Sequence, residues 1–205
     1  MKLFTLYLTT VTVILLVASC KTIQAPLIDE SDVVVVYDTV IKAPEKPKLD
    51  PLQIKYGRIL NIKPDSLTNI KLYKFIDEWM NRPYLLGGET EEGIDCSSFT
   101  QLLYVNVYDL YLERTAEKQF KSRNTVKFKG QEFFKEGDLV FFQPGDKKQK
   151  KITHVGVYLR NGKFVNSTSY VGDTGGDGVK ISDLDFPFWK KRYLAGGKRN
   201  DLIRE

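Results

Sequence analysis

The sequence predicts an α+β fold, because helical patterns come first along the chain and strand patterns follow. Apolar residues recur at helical spacing from Leu67 to Trp79 and again from Phe99 to Leu110. Later, the apolar run Leu139–Phe142 and two strand-like runs around Asn161-Gly162 mark a sheet with a hairpin in it. The composition fits a globular body: 205 residues, 42% hydrophobic and 28% charged, which suits one domain plus extensions. A net charge of +5 permits attraction to an anionic surface without requiring it. Finger spacing, an aromatic-plus-basic sheet motif and a long basic helix are all missing from the sequence, so no nucleic-acid partner is expected.

Met1 to Ser19 reads as an export signal. Lys2 supplies the positive start, Leu3 to Val17 an apolar core, and Ala18-Ser19 a small-residue cleavage region. About fifteen apolar residues are short for a membrane span. Val17-Ala18-Ser19-Cys20 resembles the bacterial lipobox. That resemblance implies cleavage before Cys20 and lipid, palmitate included, on its sulfur and new amino terminus. An uncleaved anchor or an ordinary secreted protein is the alternative. The expected location is the cell envelope, lipid-anchored to a membrane, with the periplasmic side of an outer membrane as the first choice.

Residues 20–64 read as a tether after the lipidated Cys20, carrying Pro26, Pro44, Pro47, Pro51 and Pro64 among scattered charges. Val33–Tyr37 within it is β-prone, either docked as an edge strand or loose. The domain is expected over residues 65–205. Asp65-Ser66 offers an N-cap for the helix that ends before Asn81-Arg82-Pro83. Pro83 to Gly93 forms a loop whose Gly87-Gly88 pair permits a turn. Asp95, Ser97 and Ser98 then favour a helix start, which places Cys96 at or just before a helix N-terminus. Thr115 to Ser122 is a short helix capped by Thr115. Strands follow from Val126: Leu139–Phe142 as a central strand, His154–Leu159, Lys163–Thr168, Val179–Ile181 and Trp189–Leu194. Asp146 to Lys151 reads as a solvated loop, and Val171 to Gly178, with four glycines, as a mobile one.

Chemistry centres on two residues. With Cys20 committed to lipid, Cys96 has no disulfide partner, and a lone thiol in an exported chain is either reactive or a small apolar core residue. A helix N-terminus gathers unpaired N–H groups and positive dipole, both of which favour the thiolate. His154 is the sole histidine. Cys–His catalysis needs an imidazole to take the thiol proton and return it to the leaving amine, with a third polar group to fix the ring. Asn166, on the next strand, is the candidate.

The hairpin decides whether Asn166 qualifies. A two-residue loop of Asn161-Gly162 would pair Arg160 with Lys163 and put His154 and Asn166 on opposite faces, since side chains alternate. A three-residue loop, Arg160-Asn161-Gly162, would pair Leu159 with Lys163 and put them on one face with Gly156, Tyr158, Phe164 and Thr168. We expect the latter, as a type I turn plus bulge with Gly162 left-handed, and with Gly156 leaving room for the start of the Cys96 helix.

Several pieces in this order carry a resemblance: Pro83-Tyr84, Gly87-Gly88, Asp95-Cys96-Ser97, Arg114-Thr115, Gly137–Phe142, His154–Tyr158 and Phe164-Val165-Asn166. From about Asp65 to Tyr193 the chain resembles the NlpC family of bacterial cell-wall cysteine peptidases. The resemblance implies a papain-like fold, with the Cys helix packed on an antiparallel sheet that carries the His. It implies hydrolysis of amide bonds in peptidoglycan stem peptides by Cys96, His154 and Asn166. Tyr84 matches a tyrosine beside the nucleophile that helps hold the oxyanion, and Asp95 and Ser97 match positions that grip substrate. Ser98, Glu113, Glu136 and Asn166 depart from the residues common at their positions, the last replacing a second histidine. Asn166 can orient and hydrogen-bond but carries no charge.

With one His and one free Cys, no tetrahedral N/S metal set can be assembled, so neither metal nor cofactor is expected. A monomer is expected. Two rivals remain at this point: a non-catalytic wall-binding module, and an acyltransferase on the same general scaffold. The second is disfavoured because that branch places its His before its Cys.

Overall fold

The computed structural model describes residues 48–145 and 151–202. The export signal, Cys20, Val33–Tyr37 and most of the charged Asp146–Lys151 connection lie outside the described residues. Helix α1 (Pro51–Leu60) opens the described chain. It begins with a capping box: Asp50 accepts from Leu52 N–H at 2.8 Å, and Gln53 Oε1 accepts from Asp50 N–H at 2.9 Å. Pro51 sits at the first turn, where its missing N–H costs nothing. Tyr56 and Leu60 are fully buried. Residues 51–60 are therefore packed helix, not part of the Pro-containing spacer expected over residues 20–64.

Helix α2 (Ile70–Trp79) is capped by Asn69, whose Oδ1 accepts from Leu72 N–H at 3.1 Å. Asp65 and Ser66, expected to cap this helix, lie instead within a single 3-10 turn at Pro64–Ser66. A two-stranded ribbon, β1 (Glu89–Thr90) and β2 (Gly93–Ile94), leads into α3 (Cys96–Tyr108). Of the spaced apolar residues, Phe99, Leu103 and Val107 of α3 are buried and Leu102 is partly so; Tyr104 is buried with them. Helix α4 (Ala116–Lys121) follows, with Thr115 Oγ1 accepting from Lys118 N–H.

Among the described residues, the remaining strands form one antiparallel sheet of six. It comprises β3 (Thr125–Phe128), β4 (Leu139–Phe142), β5 (His154–Tyr158), β6 (Lys163–Thr168), β7 (Gly178–Asp183) and β8 (Tyr193–Arg199), in the spatial order β3-β8-β4-β5-β6-β7. Helix α5 (Pro187–Arg192) precedes β8. Trp189 thus lies in a helix, although its sequence surroundings read as strand. Pro187 at the first turn and the basic Lys190, Lys191 and Arg192 in the last are good helix-end chemistry.

Both sheet faces are covered, which is why Leu139–Phe142 is apolar at every position. Leu139, Phe141, Val155, Val157 and Val165 share a core with Phe99, Leu103 and Cys96 on the helical side. Val140, Phe142 and Phe164 pack with Leu184 and Trp189 on the other.

Candidate active site

The β5–β6 hairpin sets the position of the imidazole. Val157 faces Val165 and Tyr158 faces Phe164, a register that keeps His154 and Asn166 on one face. The turn differs from the expected type. Asn161 and Gly162 both have positive φ, 53° and 73°, and Lys163 N–H bonds Arg160 O at 2.9 Å, the pattern of a primed two-residue turn. Leu159 N–H also bonds Lys163 O, at 2.9 Å. Leu159 and Arg160 together oppose Lys163, and this extra residue restores the parity that a plain two-residue turn would break.

In this register His154 Nε2 and Asn166 Oδ1 lie 2.9 Å apart. Nδ1 is the ring nitrogen left over. The ring stacks on Trp189, centroids 5.1 Å apart, and lies 5.6 Å from Phe142. This face of the sheet is the one away from α3. Gly156 therefore does not make room for the Cys96 helix: a Cβ there would lie 2.7 Å from Phe164 Cδ2 and 2.8 Å from Val165 O. Its close neighbours are β6 atoms.

Cys96 approaches from the helical side. Asp95 caps α3 by accepting from Ser97 N–H at 2.9 Å and Ser98 N–H at 2.8 Å. Arg114 holds Asp95 Oδ2 at 3.0 Å, so the cap is also an ion pair. Gly87 N–H and Ser97 Oγ complete the carboxylate's partners. Ser167 Oγ donates to Ile94 O at 2.7 Å, which ties the start of α3 to β6. Gln119, fully buried on α4, donates to Ser97 O at 3.1 Å and to Glu113 O at 2.8 Å. Buried amides of this kind have no periodic signature, and sequence reasoning passed over Gln119.

The sulfur meets β5 at the residue after His154. The Val155 backbone N–H favours its thiolate, together with the N–H groups of Cys96 and Ser97. Burial opposes them and wins, pushing Cys96 up to about 11, with the Asp95 carboxylate adding to the rise. The expected low-pKa thiolate is therefore not the resting state. Burial likewise drives His154 down to about 4, against the Asn166 hydrogen bond and the Asp95 charge. At neutral pH the pair is thiol and neutral imidazole. Among the described residues no hydrogen bond joins ring and sulfur, an arrangement common before substrate binds.

Solvent reaches Cys96 through an open groove of about 810 Å³ lined by Tyr84, Asp95, Ser97, Arg114, Thr115 and Glu117 among others. A smaller recess of about 190 Å³ beside it is lined by the partly exposed His154 and by the buried Trp189. Tyr84 and Thr153 line both. Burial first, then the Cys96 thiolate once it forms and the Asp95 carboxylate, raise the Tyr84 phenol, so it stays a neutral donor beside the nucleophile.

Residues 81–198 match the model of the NlpC/P60 family. A probable endopeptidase NlpC homolog of Haemophilus influenzae is 38% identical over 161 residues, covering 70% of this chain and 78% of the relative. A murein DD-endopeptidase MepS/murein LD-carboxypeptidase of Escherichia coli K12 is 35% identical over 116 residues. That match covers 57% of this chain, which spans about half, 55%, of the relative. Among solved structures, a NlpC/P60 family protein from Bacillus cereus superimposes with a TM-score of 0.53 at 24% identity, covering 63% of this chain and 39% of that one. At that identity the likeness concerns the fold.

Proposed function

This chain belongs to the NlpC/P60 family, and on that footing we propose that it is a cysteine endopeptidase cutting amide bonds in peptidoglycan stem peptides. The observation that carries the reading is the placement of Cys96. It lies at the mouth of α3 on a groove wall, its sulfur facing the N–H of the residue after His154. His154 is itself held by Asn166 at 2.9 Å.

The neutral resting pair dictates the order of events. As Cys96 attacks the carbonyl, His154 Nδ1 accepts the thiol proton, so charge develops only with substrate in place. The imidazolium then hands the proton to the departing amine. Asn166 Oδ1 and the Trp189 face stabilise the positive ring during that interval. The Cys96 N–H and the Tyr84 hydroxyl serve the oxyanion, since Asp95 already occupies the N–H groups of Ser97 and Ser98. Water activated by His154 then releases the acyl group. Asp95 and Ser97 act chiefly by building this site, because Arg114 and the α3 cap consume their polar atoms.

The N-terminal assignments complete the proposal: Cys20 carries lipid, and the protein works as a monomer tethered to an envelope membrane within reach of the wall. The lipobox-like Val17–Cys20 supports the tether. The raised Cys96 pKa favours one other reading, a module that binds wall without cutting it. Mass spectrometry of muropeptides before and after incubation of sacculi with the chain separates the two. The peptidase gives shortened stem peptides with a new terminus. Sacculus pull-down with an unchanged muropeptide profile would replace it with the binding module.

A further inference from the structure

We propose that Asp173 and Ser182 are positioning residues that set the tautomer of His154 through a buried hydrogen-bond relay. The inference rests on the peptidase reading for its consequence in catalysis, but not for its geometry. Asp173 comes from the Gly-rich Val171–Gly178 segment, where sequence alone predicts a mobile loop. Its side chain is only 4% exposed and pairs with Lys180 Nζ at 2.8 Å, itself 6% exposed.

The direction of each bond in the relay follows from its end. A carboxylate only accepts. The Lys180 ammonium and the hydrogen bonds from Trp189 and Ser182 outweigh burial and hold Asp173 ionised. Ser182 Oγ lies 2.7 Å from Asp173 Oδ2 and must donate to it. Its lone pairs then face Asn166 Nδ2, which donates to Ser182 Oγ at 3.1 Å and to Lys180 O at 3.3 Å. With the amide nitrogen committed there, Oδ1 is the atom turned to His154 Nε2, 2.9 Å away. An oxygen at that distance selects the proton on Nε2 and leaves Nδ1 with its lone pair, as a general base for a thiol requires. Reversing Asn166 would set its oxygen against two acceptors.

Asp173 acts on the ring by a second route. Trp189 Nε1 donates to the same Oδ2 at 2.7 Å, and the indole stacks on the imidazole at 27° between planes. Asn166, Ser182 and Trp189 are 0%, 2% and 1% exposed, so water does not compete along the chain. The protein thus ends its nucleophile–imidazole–amide row in a charge two links beyond the amide.

A single histidine makes the test direct. The nitrogen-15 spectrum of the imidazole at neutral pH distinguishes protonated from unprotonated ring nitrogens. The wild-type chain is expected to show one form, with the proton on Nε2. Ser182→Ala leaves the Asp173–Lys180 pair intact; it is expected to give mixed, averaged nitrogen signals and a kcat lower by roughly tenfold, with KM and melting temperature little changed. Ser182→Thr restores the hydroxyl and with it both readings. Asp173→Asn is expected to act the same way, and if loss of the Lys180 partner unfolds it, Ser182→Ala decides alone. A wild-type spectrum in Ser182→Ala, or an unchanged kcat, overturns the relay. A chain with the expected tautomer that cuts no stem peptide would sink the peptidase reading and leave the relay standing.

Discussion

At Cys96, three backbone N–H groups pull toward the thiolate and burial pulls away, and burial wins. A helix terminus is worth less than the desolvation of a nearly enclosed charge. This has a measurable consequence in the free protein. Alkylation by iodoacetamide follows the thiolate, so its rate should keep climbing with pH to a midpoint near 11 instead of levelling near the ordinary thiol value of 9.0. The acid side of kcat/KM should fall only as His154 protonates, near pH 4, because a lowered pKa keeps the base neutral to lower pH. An alkylation midpoint well below 9 would mean that an ion pair forms at rest. Parity of the β5–β6 hairpin was enough to place His154 with Asn166, since one extra residue in the turn decides the face. The thiol pKa was not legible, because burial depends on Ile94, Phe99 and Val155 converging from three elements. Asp173 and Ser182 escaped notice for a similar reason: a loop rich in glycine gives no hint that its acid turns inward.

The elements show where local chemistry speaks and where it does not. Helix α3 announces itself by Asp95 and its apolar spacing, and β4 by a run with no polar break. Helix α1 does not, because Pro51 and the proline-rich, charged chain before it resemble linker composition. What makes it part of the domain is long-range: Tyr56 packs on Tyr73 with centroids 5.0 Å apart, and its hydroxyl donates to Asp77 at 2.9 Å. A protein that starts at Asp65 loses the buried Tyr56 and Leu60 and uncovers Tyr73, against which Tyr56 packs. Removing two fully buried side chains costs several kcal/mol, at about 1.5–3 kcal/mol for each. Thermal denaturation should therefore show the Asp65 version melting many degrees below the Lys48 version. Equal melting temperatures would make α1 an ornament. The sequence of α5 reads as strand because aromatic residues are β-prone, whereas Pro187 and the packing of Trp189 on His154 hold it helical.

For the whole molecule, the helical layer brings the nucleophile and the sheet brings the base and its supports. The two meet where α3 begins and β5 begins. Both faces of the sheet are packed, and the one that carries His154 also orients the imidazole through Asn166 and Trp189. The lipid proposal belongs at this scale too, since it decides which bonds the domain can reach. Cys20→Ala should move the protein from the membrane fraction to the soluble envelope fraction, with turnover on isolated muropeptides unchanged. Continued membrane association in that variant would contradict a lipid on Cys20.

The pairing of Cys96 with His154 is tested most directly by the rate of stem-peptide cleavage in Cys96→Ser and His154→Ala, with folding monitored in the same samples. The account predicts that each folded variant loses turnover by about 10⁴-fold or more, as single members of a nucleophile–base unit do. Wild-type turnover in either variant would contradict it.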